Sequence, residues 1–95
     1  MRTLREFWEA GHGDAEEALR EWFRSAEKGQ WSKFAEVRSQ FPSVDQVGNK
    51  LVFNIKGNEY WLIVAVSYEF GVVLVKWVGN HREYAKLIRR DIEKL

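Results

Sequence analysis

The chain has 95 residues, enough for one small domain (1–95) with a modest core, and 45% of them are hydrophobic. It has no cysteine, which excludes a disulfide framework and cysteine zinc sites and fits a reducing compartment. The net charge of +1 is unevenly divided: residues 1–45 sum to −2 and residues 46–95 to +3, so any phosphate-facing surface is expected in the second half.

The first half reads as helices. Thr3 and Glu6 have capping-box spacing ahead of a short helix from Leu4 to Ala10. Gly11-His12-Gly13 breaks it, and Asp14 is positioned to cap a second helix. Ala15, Ala18, Leu19, Trp22, Phe23 and Ala26 then form one apolar stripe at helical spacing, and Gly29 can end it. Ser32 is positioned to cap a third helix holding Phe34 and Val37. Pro42 disfavours helical geometry in the residue before it, so that helix stops at Phe41.

The second half reads as strands. Leu51, Phe53 and Ile55 alternate with Lys50, Val52 and Asn54, the pattern of a half-buried strand. Lys56-Gly57-Asn58 is a turn, and Glu59 to Tyr68 is an almost wholly apolar, β-branched and aromatic run suited to a central strand. Glu69-Phe70-Gly71 turns the chain into a third strand, Val72 to Val78. Short connections make the strands an antiparallel meander. Beyond Gly79, Tyr84, Leu87, Ile88, Ile92 and Leu95 return to helical spacing, with Asn80 and Glu83 as a capping-box pair. The outline is α+β: N-terminal helices packed on a small antiparallel sheet, then a C-terminal helix.

Period-2 alternation puts Trp61 and Ala65 on one face of the central strand, and it puts Lys76 with Leu74 and Val78, opposite Trp77. Two separated histidines, His12 and His81, give no metal-site spacing, and no cofactor motif is present. His12 has no assigned role. No apolar run is long enough to span a bilayer, and acidic residues stand near the start where a signal peptide needs apolar ones. A cytoplasmic protein with no membrane partner is expected.

The corner Val78–Lys86, VGNHREYAK, gathers chemistry-bearing side chains. Histidine commonly titrates near neutrality, so His81 is the natural acid–base candidate; the alternative is a polar residue exposed at a helix start. Tyr84, three residues on, can share its side of a helix. Its hydroxyl can donate to a phosphate, its ring can stack on a base, or it can be a core aromatic beside Leu87 and Ile88.

Three segments carry a resemblance: LREFWE near the start, FAEVRSQFPSVDQVGNKLVFNIKGNEYWLIV in the middle, and VKWVGNHREY near the end. In that order they resemble the HigB-type toxins of bacterial toxin–antitoxin pairs, within the RelE-like superfamily. The resemblance implies a RelE-like fold and a metal-independent endoribonuclease, an mRNA interferase that inhibits translation on the ribosome. It implies inhibition by a helix-turn-helix antitoxin of the HigA type. Catalysis would fall to His81, Tyr84 and Lys76, and RNA binding to Lys50, Asn54, Lys56, Trp61, Arg82 and Lys86. Related toxins commonly have arginine where this chain has Trp61, Ala65 and Lys76. A planar guanidinium grips phosphate in a way an ammonium does not, so the resemblance leaves a second expectation open. That alternative is an impaired toxin-fold binding module that pairs with an antitoxin for regulation. A third is a toxin acting on another target such as DNA gyrase.

Overall fold

The structure is a computed structural model that describes residues 2–95. Helices α1 (Arg2–Glu9), α2 (Glu16–Lys28) and α3 (Phe34–Gln40) precede four strands, β1 (Asp45–Val47), β2 (Lys50–Ile55), β3 (Tyr60–Ser67) and β4 (Val72–Asn80). Two short helices, α4 (His81–Ala85) and α5 (Arg89–Glu93), close the chain. The strands form one antiparallel sheet in the order β1-β2-β3-β4, so the α+β expectation holds. None of the described helices is long and apolar enough to cross a membrane.

The helical stripe of α2 lands where its spacing requires. Leu19 and Trp22 are buried, and Ala18, Phe23 and Ala26 pack beside them. They meet the sheet face made by Leu51, Phe53, Ile55, Leu62 and Val64. Phe53 is the aromatic hub: Trp22 and Phe41 meet it edge-on at 5.2 and 5.1 Å, and Trp31 stacks at 6.5 Å. Each large apolar side chain withdrawn from water here contributes roughly 1.5–3 kcal/mol, so this face supplies most of the fold's stability. The Trp31 indole donates to Gln40 at 2.9 Å, which ties the start of α3's approach to its end.

The ends of the helices differ from expectation. Asp14 does not cap α2, whose preceding residue, Ala15, offers no side-chain cap. A single 3-10 turn, Gly13–Ala15, intervenes and leaves the Asp14 carboxylate free to reach across to Tyr60 and Lys56. Ser32 likewise does not cap α3; its backbone N–H and hydroxyl both donate to Glu36 instead. At the other end Phe41 leaves the helix ahead of Pro42, as expected.

The sheet has one more strand than the periodicity predicts. β1 is three residues long and pairs with β2 through the two-residue turn Gly48-Asn49. Gly48 takes φ +60, which suits glycine at the first central position of a tight hairpin turn. The C-terminal helix is also two pieces. After α4 the chain opens, the Asp91 carboxylate accepts the Ile88 N–H at 3.1 Å, and α5 begins. Leu87, Ile92 and Leu95 pack against the second face of the sheet, whereas Ile88 is exposed.

Candidate functional site

The face of the sheet away from α1–α3 carries a second, smaller cluster in which Val47, Val52, Ile63 and Ile92 are buried. A β-bulge shapes it. Ile63 pairs with Trp77 but Val64 pairs with Val75, so Lys76 is an extra residue on β4. The bulge overturns the simple alternation. Val78 packs with Val73 and Val75 on the helix side, and Trp77 crosses to the second face beside Trp61 and Tyr84.

The aromatic group this creates is ordered by contact. Tyr84 stacks on Trp61 with ring centroids 4.5 Å apart and planes 14° from parallel, and Trp77 lies tilted at 6.2 Å. Trp61 and Tyr84 are half-buried, and the Trp61 indole N–H is buried with no acceptor among the described residues. Burial, with the Asp45 carboxylate second, pushes the Tyr84 hydroxyl above the ordinary tyrosine range. At neutral pH it therefore holds its proton and can donate it in a hydrogen bond. Gly79 makes the packing possible, because a Cβ there would stand 2.6 Å from the Trp77 ring.

The helix that presents His81 is fixed by a reciprocal cap. The Asn80 side chain accepts the Glu83 N–H at 2.8 Å, and the Glu83 carboxylate accepts the Asn80 N–H at 3.0 Å. The sequence signal at Asn80 and Glu83 was therefore sufficient. The His81 N–H donates to the Glu59 carbonyl at 3.0 Å, which seats α4 beside the β2–β3 turn. His81 is exposed, as are Arg82 on the same helix, Lys86 just past its end and Lys76 at the bulge. Among the described residues none of these four side chains has an ion-pair partner or a hydrogen bond.

The other candidates are engaged elsewhere. Lys50 is 3% exposed, and its ammonium donates to Asn49 at 3.0 Å and to the Glu93 carbonyl at 3.1 Å. It anchors the end of α5 to β2 and cannot meet RNA without leaving that site. Lys56 pairs with Asp14 at 3.1 Å and Glu59 at 3.5 Å. Asn54 donates to Asn58 and stabilises the turn between β2 and β3. His12 stacks on Phe7 at 4.2 Å, and the Tyr60 hydroxyl donates to Asp14 at 2.6 Å. That polar corner braces α1 and the 3-10 turn against the sheet.

The structure thus gathers His81, Arg82 and Tyr84 on α4 and Lys86 just past its end, with Trp61 against Tyr84 and Lys76 farther along β4. It adds Trp77, which alternation puts on the opposite face because a bulge is a property of pairing rather than of one strand's sequence. Among the described residues no group of three or more His, Asp or Glu side chains is arranged to hold a metal ion. A family model described as HigB_toxin, the RelE-like toxic component of a toxin–antitoxin system, matches residues 15–87. No curated protein matches the chain.

Proposed function

The chain belongs to the HigB toxin family, the RelE-like toxic components of toxin–antitoxin systems, and from that premise we propose that it is an endoribonuclease that cuts mRNA on the ribosome. It works in the cytoplasm, without a metal, and is silenced by a helix-turn-helix antitoxin of the HigA type. The observation that carries this reading is the exposed His81 ring beside unpaired Arg82 and Lys86, on a helix held by its own cap.

Cutting proceeds by attack of the 2′-oxygen on the adjacent phosphorus. His81 takes the 2′-hydroxyl proton as the new P–O bond forms, and the departing 5′-oxygen takes a proton from water as the old bond breaks. The products are a cyclic 2′,3′-phosphate and a free 5′-hydroxyl. Arg82, Lys86 and Lys76 offset the charge that builds on the phosphate oxygens. Tyr84 keeps its proton and can donate it in a hydrogen bond, while its outer face and Trp77 offer stacking surface to a base. Alignment on this surface supplies rate beyond proton transfer.

A second reading has its own observation. Trp61, one of the positions where the resemblance leads one to expect arginine, is stacked against Tyr84 and offers no charge. A toxin with impaired chemistry that still pairs with its antitoxin follows from that. Induction without antitoxin, with transcript ends mapped beside His81→Ala, separates the two. New 5′-hydroxyl ends from the unmodified chain alone support the nuclease. Unchanged transcripts and growth remove it and leave the binding module.

A further inference from the structure

The end of the sheet farthest from His81 is built from different chemistry. Phe70, Val72 and Leu74, at the β3–β4 hairpin, are 76%, 42% and 53% exposed, three of the four large exposed apolar side chains among the described residues. Single exposed apolar residues need no explanation, but three within five positions of one hairpin do. The hairpin forms one wall of a groove of about 820 Å³. Trp22 and Phe23 of α2 line it across from Phe70 and Leu74.

Charge and hydrogen bonding narrow the occupant. The described lining contains two carboxylates, Glu27 and Glu69, and no lysine or arginine, so the groove repels phosphate and is no extension of the RNA surface. Trp22 is 5% exposed, yet its indole N–H has no acceptor among the described residues. A buried donor left unpaired is destabilising. β4 is an edge strand, so its outer backbone groups lack a strand partner. A second copy of this chain docking face to face would set Glu27 and Glu69 against themselves, which disfavours self-association here.

We infer that this groove receives an apolar segment of the antitoxin carrying at least one lysine or arginine to meet Glu27 and Glu69. The inference rests on the toxin reading, which supplies a protein partner, and adds where on this chain that partner is held. Apolar side chains fill the space between α2 and the hairpin, and the cation sits at the acidic rim.

Calorimetric titration of the full chain with the purified small protein encoded by the adjacent reading frame tests it. One variant carries Phe70→Asp with Leu74→Asp, and a second carries Glu27→Lys with Glu69→Lys. All four positions are exposed side chains outside the core, and circular dichroism verifies folding of both variants. Each is expected to bind at least tenfold more weakly than the unmodified chain while still cutting RNA. Undiminished binding by both variants overturns the groove and leaves the toxin reading standing. An unmodified chain that binds no such protein removes the pairing and the groove together. A dimer seen by light scattering that the hairpin variant dissolves, with antitoxin binding unchanged, assigns the groove to a second copy and overturns the inference.

Discussion

At the His81 end of the sheet Lys76, Arg82 and Lys86 have no ion-pair partner among the described residues, whereas at the β3–β4 tip Glu27 and Glu69 rim an apolar groove lined by no described cation. One strand joins them. β4 runs nine residues from Val72 to Asn80, about 27 Å at the usual rise of an antiparallel strand. The small net charge of the chain conceals this local difference. A surface for phosphate and a surface for protein can therefore coexist on a domain of this size, and changes at one end should leave the other intact.

The largest expected effect is at the cationic end. His81→Ala should lower cleavage by about 10²–10⁴-fold, the range for loss of a positioned acid–base group. Because the ring is exposed, folding stability should move by no more than about 0.5 kcal/mol. Single-turnover cleavage and a urea titration on the same protein check both halves. Equal cleavage by variant and unmodified chain would remove the acid–base role.

Next in size is Gly79→Ala. The added Cβ would meet the Trp77 ring at 2.6 Å and the Glu83 carboxylate at 3.0 Å. Overpacking of this kind costs about 1–3 kcal/mol, read as a lower urea midpoint. It should also disturb the Trp61–Tyr84–Trp77 group and weaken RNA binding, with antitoxin affinity preserved. A matching loss of antitoxin affinity would mean that the two ends are coupled.

A smaller effect sharpens which cations matter. RNA affinity should fall with salt, and Lys76→Ala, Arg82→Ala and Lys86→Ala should each reduce the slope of log K against log salt by about 0.7, the single-strand value per phosphate neutralised. Lys50→Ala should leave that slope alone and lower stability instead, since its ammonium serves Asn49 and the Glu93 carbonyl. A slope change for Lys50→Ala would contradict its buried position.

These contrasts follow what local sequence can carry. The α2 stripe, the alternation of β2 and the Asn80–Glu83 cap were legible because each depends on residues a few positions apart. β1 was not, since three residues hold no period; its signal lay only in Gly48-Asn49, a two-residue hairpin turn. The bulge at Lys76 exists only relative to β3, so the placement of Trp77 and Val78 could not be read from β4 alone. Lys50 looked like any strand-edge lysine until α5 folded back over it. The helical spacing through Ile88 was real but misleading, because the chain breaks between α4 and α5 and turns that side chain outward.

The smallest effect concerns the brace near the His81 end. The Tyr60 hydroxyl first, and the Lys56 ammonium second, hold the Asp14 carboxyl below its ordinary value of 3.8. Bonding to Asp14 in turn raises Tyr60 and Lys56 above their ordinary values of 10.0 and 10.5. The signs are opposite. Asp14 binds its proton more weakly when folded, so its contribution is complete above its unfolded pKa and is lost as pH falls through the folded one. Tyr60 and Lys56 bind theirs more tightly, so their contributions are complete below their unfolded pKa values and are lost as pH rises through the folded ones. The brace is therefore intact across the neutral range and fails at both extremes. Asp14→Asn should lower the urea midpoint at pH 7, and the gap from the unmodified chain should close as pH drops below the folded Asp14 pKa. Tyr60 pairs with Asn80, and Glu59 accepts the His81 N–H, so the brace touches the helix that presents His81. A cleavage rate that falls with Asp14→Asn while antitoxin binding holds would show that this corner positions His81; an unchanged rate would confine the brace to stability.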